Sequence, residues 1–372
     1  MMRLTLSLSD NPATTLVERA IMEFRSGRPV VIDGAQGSAL AVGVEHLDDA
    51  MGARLETVAG GHAHLVLPAA RLRRLGLDRT LPGLVALPVV ERERIETLAL
   101  KAEARIDAPV RPAGAIDEEA LELARLSLVL PAVILVPLAA GLEVDSSLTR
   151  VPGAAILGYR RARALDLAIV SRAPVPLDGA PASEFVVFRG GEGLRDQVAI
   201  IVGKPDLSRP VAVRLHSACL TGDLFGSLKC DCGDQLRDTV RRMSESEGGI
   251  LLYLDQEGRG NGIANKIRAY KLQSQGYDTY DADEVLGFEA DQRRFDFAAA
   301  MLKQLGVAAV RLMTNNPEKI LALTEAGLQV ISDHRVLGRP TAENVSYLAS
   351  KRDRAGHYID FDGLAARAPH QE

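Results

Sequence analysis

Tryptophan is absent from this chain, and the other rings are scarce: eight Phe and seven Tyr in 372 residues. So few rings leave no base-stacking platform for single-stranded nucleic acid. The basic excess of a general nucleic-acid binder is missing too, with 44 Lys and Arg against 49 Asp and Glu and a formal net charge of −5. Cysteine is limited to three residues. An odd number without a secretory leader argues against a disulfide framework. No leader is read in the opening MMRLTLSLSDNP, which has no sustained apolar stretch. One uncharged run, residues 126–142 (LSLVLPAVILVPLAAGL), sits at the lower length limit of a membrane span. Pro131 and Pro137 would break such a helix, so a helix end followed by a buried strand fits better. The expectation is a cytoplasmic protein with neither a membrane nor a nucleic-acid partner.

What is present is an ordinary globular balance, 47% hydrophobic and 25% charged, over a length that suggests two domains at roughly 150 residues each. Residues 16–24 (LVERAIMEF) and 117–128 (DEEALELARLSL) read as amphipathic helices, and 29–33 (PVVID) as a buried strand. His62 and His64 in GGHAHLVL alternate as on a strand and, with no acidic neighbour in sequence, read as plain strand residues. From about 166 strands and helices alternate. Strands are expected at 185–188, 198–202, 211–215, 250–254 and 309–313, and helices at 234–247, 261–274, 295–305 and 317–326. The fold class expected is α+β or α/β, with mixed sheets and flanking helices in two domains. Residues 346–372 read as a terminal helix and a polar tail.

The three cysteines, Cys219, Cys230 and Cys232, fall together in CLTGDLFGSLKCDC. Three soft ligands at this spacing suit Zn²⁺, which takes S/N donors tetrahedrally. Three protein ligands with an open fourth position is the catalytic arrangement; a closed structural site completed by His216, or three buried small side chains, are the alternatives. Asp255–Gly262 (DQEGRGNG) follows a strand and precedes a helix, so its amides and the helix start favour an anion. Within it Arg259 can hold a phosphate, Glu257 can accept from an amino group, and Lys266, Arg268 and Lys271 make the helix it opens locally positive. In TNNPEK, Asn316 reads as an N-cap with Pro317 at the first helical position, while Thr314 and Lys319 would lie outside a strand's carboxyl end. Asp291-Gln292-Arg293 reads either as a solvated helix entrance or as a proton acceptor beside a phosphate-stabilising cation.

Taken in order, residues 214–235 (RLHSACLTGDLFGSLKCDCGDQ), 256–278, 286–295 (LGFEADQRRF) and 311–323 (RLMTNNPEKILAL) resemble the GTP cyclohydrolase II family over roughly half the chain. The resemblance implies Zn²⁺ on Cys219, Cys230 and Cys232, Mg²⁺ with the GTP phosphates, and ring opening at guanine C8. The products would be formate, pyrophosphate and 2,5-diamino-6-(5-phosphoribosylamino)pyrimidin-4-one, at the first step of riboflavin biosynthesis. By matching motif it also implies Asp291 as proton acceptor, Arg293 at the α-phosphorus and Tyr270 near the base. Nucleotide contacts would fall on Arg214, His216, Ser217, Gln235, Glu257, Gly258, Arg259, Thr279, Thr314 and Lys319. A guanidinium stays protonated to roughly pH 12, so charge stabilisation is the physically easier role for Arg293. Ala218, Asp255 and Asn261 depart from the family's usual Glu, Arg and Ile, which leaves open a paralogue in another pathway such as pyrimidine catabolism, or a non-catalytic nucleotide-binding regulator.

The front region resembles a degenerate 3,4-dihydroxy-2-butanone-4-phosphate synthase domain through 16–33 and 114–131. That family's acidic loop is replaced after Asp33 by GAQGSALAVG, so no synthase activity is expected, because a hard cation needs those oxygens. The division expected is 1–165 for this domain, 166–350 for the cyclohydrolase domain and 351–372 for the tail, in a chain that forms a homodimer.

Overall fold

The computed structural model describes residues 12–142, 144–191, 195–289 and 293–336, and beyond them 338–339, 341, 344, 352–354, 356 and 358. They form two compact units, Met1–Ala162 with Asp283–Glu289, and Arg163–Ala282 with Ala290–Glu372. Among the described residues no helix is long and apolar enough to cross a membrane.

The first unit's elements run α1 (Pro12–Arg25), β1 (Val30–Gly34), β2 (Gly37–Gly43), α2 (Asp49–Ala59), β3 (Ala63–Leu67), α3 (Ala69–Arg74), β4 (Gly83–Leu87) and α4 (Arg92–Leu100). They continue with β5 (Val110–Pro112), α5 (Ala115–Leu126), β6 (Val133–Pro137), β7 (Thr149–Pro152) and α6 (Gly153–Leu165). Residues 126–142 thus hold a helix end and a buried strand, as their prolines require. The sheet order is β5-β4-β3-β6-β2-β1-β7, and both faces are covered. Val31, Leu40 and Ile134 face one core with Leu55, Leu72 and Ile95, while Val30, Ile32 and Val133 face the other with Val17, Leu121 and Ile156. Successive strand residues point to opposite faces, so a sheet buried on both sides reads as an unbroken apolar run. His64 does have an acidic partner: its Nε2 lies 2.8 Å from Asp117 Oδ1, brought by α5 from 53 positions away. Arg71, almost fully buried, donates to the carbonyls of Thr97, Leu98 and Lys101 and, at 2.9 Å, to that of Val285 in the Asp283–Glu289 segment.

In the second unit the chain forms β8 (Ala168–Pro174), β9 (Ser183–Arg189), β10 (Gln197–Val202), β11 (Val211–Ser217), α7 (Leu220–Asp223), α8 (Cys232–Ser244) and β12 (Gly249–Leu254). Then come α9 (Ile263–Gln273), α10 (Thr279–Val285), α11 (Asp296–Gln304), β13 (Ala309–Met313), α12 (Pro317–Glu325) and β14 (Gln329–His334). The sheet order is β14-β13-β11-β12-β10-β9-β8. The strands β14, β13, β11 and β12 are mutually parallel, and β10, β9 and β8 extend the sheet antiparallel. Helices α11 and α12 cover one face through Phe297, Met301 and Leu323, and α8 covers the other through Val240 and Met243. The mixed-sheet, two-domain class expected from the sequence is the one observed. Both edge strands, β8 and β14, escaped the periodicity reading because they bury almost nothing, leaving no apolar alternation to detect.

Candidate active site

Because β13, β11 and β12 are adjacent and parallel, their carboxyl ends open on one edge of the sheet. Ser217 ends β11, Asp255 follows β12 and Thr314 follows β13, so the three motif segments meet there, where α/β folds place their ligands. Cys219 leaves β11 directly into α7, and Cys232 opens α8.

The three sulfur atoms lie within 4.8 Å of one another, with Cys219 and Cys230 at 3.5 Å. Two thiolates on one tetrahedral zinc at about 2.3 Å would stand about 3.8 Å apart, so this donor set fits that ion. Among the described residues no fourth His, Cys, Asp or Glu joins the group. Gly222 makes the approach possible: a Cβ there would come within 2.7 Å of Cys230 Sγ and 3.0 Å of Cys219 Sγ. Lys266 on α9 donates to Cys219 Sγ at 3.1 Å and to Glu257 Oε1 at 2.8 Å. The thiols hydrogen-bond to one another, which with Lys266 holds Cys219 far below an ordinary thiol; hydrogen bonding to Cys219, with burial, pushes Cys230 up to about 11 and raises Cys232 well above the ordinary thiol value. Glu257 also accepts from the backbone of Leu220 at 2.5 Å, tying the DQEGRGNG loop to the first turn after Cys219.

Behind the sulfurs lies a buried polar layer. Asp223 accepts from Cys219 N at 2.9 Å and from the Tyr253 hydroxyl at 3.0 Å, and it stands 3.1 Å from His216 Nε2. The His216 ring stacks on Tyr253, and burial lowers its pKa against the opposing pull of Asp223. Arg214, buried, donates to Met313 O at 3.0 Å and to Gln235, which in turn donates to Asp231. Desolvation pushes this guanidinium down to about 10, still charged at neutral pH. Four buried atoms here have no partner among the described residues: Arg214 Nε, His216 Nδ1, Asp231 Oδ1 and Asn316 Nδ2. Orphaned donors and acceptors at a sheet's carboxyl edge are what a polar ligand or water would satisfy.

The loop after β12 is strained where it matters. Gly258 and Arg259 both have left-handed backbones, φ 61° and 59°, which costs a non-glycine residue such as Arg259 about 1 kcal/mol or more. Its guanidinium lies 4.2 Å over the Tyr280 ring on α10. Thr279 starts α10 and accepts from Gln273 Nε2 at 3.3 Å. Ser217 Oγ reaches Gln256 at 3.5 Å. Asn316 caps α12 with Pro317 behind it, and Thr314 Oγ1 accepts from Asn316 N at 3.0 Å. Lys319 turns inward to Leu215 O at 2.6 Å and lies 5.1 Å from the Phe295 ring. Tyr270 lies under the ammonium of Lys229 and that of Lys266, at 5.0 and 5.6 Å, and desolvation pushes its phenol up to about 12. Arg293 stands 5.6 Å from the same Phe295 ring, while Asp291 lies outside the described residues.

Sequence reading missed Asp223, Asp231 and Tyr253, and it took Lys266 as one of three cations, with Arg268 and Lys271, that make its helix locally positive towards an anion. In the fold Lys266 belongs to the thiols and to Glu257. The available signal was spacing: Asp223 is four residues beyond Cys219, and Lys266 sits one helical turn before Tyr270.

A family model described as GTP cyclohydrolase II matches residues 169–335. The chain is 43% identical over 355 residues to a GTP cyclohydrolase-2 of Xylella fastidiosa, covering 95% of this chain and 89% of that protein. It is 40% identical over 369 residues to a GTP cyclohydrolase-2 of Azospirillum brasilense, with 94% and 95% covered. A shorter match, 46% over 165 residues, is to the riboflavin biosynthesis protein RibBA of Chlorobium phaeovibrioides, covering 44% of this chain and 40% of that one. A solved two-domain 3,4-dihydroxy-2-butanone 4-phosphate synthase from A. baumannii covers 87% of this chain and 99% of its own at 16% identity, with a TM-score of 0.33. Superposition at that level carries no weight for either unit.

Proposed function

The chain belongs to the GTP cyclohydrolase II family, and from that premise we propose that it hydrolyses GTP to the diaminopyrimidinone ribosyl phosphate, formate and pyrophosphate, at the first step of riboflavin biosynthesis. The observation that carries this reading is the cluster of three thiols, with Lys266 and Glu257 beside them, at the carboxyl edge of parallel strands. Cys219, Cys230 and Cys232 would hold zinc, a Lewis acid that acidifies water enough for amidine hydrolysis near neutral pH.

The protein's own groups do the rest. Lys266 offsets thiolate charge and keeps Glu257 aimed, leaving that carboxylate available to a guanine amino group. Arg214, Gln235, His216 and Ser217 line the β11 side, and Thr314 and Lys319 the β13 side, as the proposed nucleotide contacts. Arg259, Gly258 and Thr279 would meet the phosphates, with Mg²⁺ carried in by them. Asp291 is proposed to accept the proton, Arg293 to stabilise charge on the α-phosphorus and Tyr270 to stand near the base.

Residues 166–350 are assigned to this activity, and 1–165 to a synthase-like domain without synthase chemistry. In support of the latter, β1 turns into β2 through Ala35 and Gln36 alone, and Asp33 is already taken by Arg150 and by Ser38 at 2.6 Å. A homodimer in the cytoplasm is part of the proposal. The test is release of formate and pyrophosphate from GTP by zinc-loaded protein with Mg²⁺. Both products, lost in Cys230→Ser, establish the activity; no release from zinc-loaded protein overturns it.

A further inference from the structure

The described residues beyond β14 carry none of the residue roles proposed above, yet they contact three segments of the candidate site. Gly338 lies on Asp231, where a Cβ would come within 2.5 Å of Asp231 Cβ, and Thr341 Oγ1 donates to Leu228 O at 2.7 Å. Both contacts fall on the stretch that delivers Cys230 and Cys232. Farther on, Arg354 pairs with Asp278 at 2.7 Å and Asp281 at 3.1 Å, on either side of Thr279. The same guanidinium lies 5.5 Å from the Tyr280 ring, the ring that Arg259 approaches at 4.2 Å. Tyr358 then donates its backbone N–H to Asn315 O at 3.0 Å and takes Arg335 over its ring at 4.0 Å, while Arg335 donates to Thr314 O at 3.0 Å. Four positions separate Arg354 from Tyr358, a reach of at most about 14 Å. The start of α10 and the turn after β13 are therefore tied together by one short piece of chain.

We propose that this C-terminal strap is a positioning element for nucleotide binding. Arg354 acts through Tyr280 and the α10 start on Arg259 and Thr279, and Tyr358 acts through Arg335 and Asn315 on Thr314. The proposal rests on the nucleotide reading of those residues given above. The energetics favour a role in binding over one in stability. Arg354 is 43% exposed and its partners are about a third exposed, so each pair adds little to folding. Holding Arg259 and two loops in the bound arrangement before the ligand arrives, by contrast, lowers the ordering cost of binding.

The test uses the full chain with Arg354→Ala, Arg354→Lys and Tyr358→Ala. GTP turnover is measured alongside zinc content, melting temperature and affinity for the non-hydrolysed guanosine 5′-(β,γ-imido)triphosphate. Arg354→Ala and Tyr358→Ala are each expected to raise KM and weaken analogue affinity about tenfold, with kcat within about twofold. Zinc content and melting temperature should stay at wild-type values, and Arg354→Lys should recover most of the affinity. Unchanged KM and affinity in both alanine variants overturn the proposal, as does a parallel loss of zinc and melting temperature. A wild-type chain that binds the analogue but does not hydrolyse GTP defeats the activity reading alone, since the affinity arm still decides the strap.

Discussion

Asp223 illustrates how one carboxylate can set the geometry of a site through its neighbours. It is held by the backbone of Cys219, the Tyr253 hydroxyl and the His216 ring, so it fixes where the first sulfur starts. Asp223→Ala removes the acceptor that those partly buried donors share, which costs about 1–3 kcal/mol. The expected result is a lower melting temperature together with faster zinc loss to a chelator. Lys266→Met keeps the length of the side chain but removes the charge beside Cys219 and Glu257. Zinc affinity, read by competition with a chromogenic chelator, should fall about tenfold or more, as for other partners of metal ligands. Glu119, in the first unit, is the opposite case. Its Oε2 is buried with no partner among the described residues, and desolvation raises its pKa. A raised folded pKa means the native state binds more protons than the unfolded chain above about pH 4.5, so stability declines as pH rises through the folded value. Glu119→Gln should flatten that dependence and raise stability at pH 7 by about 1 kcal/mol, measured by denaturant melts at pH 4.5 and 7.

At the scale of elements, the thiol cluster exists because two helix starts are allowed to meet. A Cβ on Gly222 would run into two sulfurs, and one on Gly233, in the first turn of α8, would overlap the Gly222 carbonyl. Gly222→Ala is therefore expected to bind no zinc while the sheet still folds, with circular dichroism near wild type and metal absent by elemental analysis. The DQEGRGNG loop follows similar logic: Gly258 packs against Lys266, a Cβ there approaching Lys266 Cβ at 3.1 Å, and its φ of 61° suits glycine. Loop, α9 lysine and α7 turn are thus fitted to one another.

Across the whole molecule, each unit buries its sheet on both faces, and no catalytic cluster was expected in the front region. Its most buried charge is structural: Arg71 spans four carbonyls and is pushed down to about 10 by desolvation. One of those carbonyls, Val285, and the Arg73 partners Glu284 and Glu289 belong to the segment just before Asp291 in sequence. Arg71→Ala should destabilise the first unit by about 3 kcal/mol or more, because carbonyls that it satisfied remain buried. Thermal unfolding checks this, and a melt unchanged within error would contradict it.

The sequence by itself determined the class of fold, because a sheet covered on both faces must be written as apolar runs between helical periods, and such runs are local. It determined the thiol cluster as well, since three cysteines within fourteen residues of one another in a chain otherwise free of them can hardly be elsewhere than together. The Asn316 cap and Pro317 were legible for the same reason: a helix start is decided by neighbours in the chain. Only the tertiary structure decided what lies behind the sulfurs. That Lys266 serves Cys219 across 47 positions, that His64 meets Asp117 across 53, and that Arg354 reaches Asp278 across 76 depends on strand order and helix packing. Long-range pairs of polar groups leave no periodic trace in a single sequence. They form where strand order and helix packing bring the two groups within reach of each other.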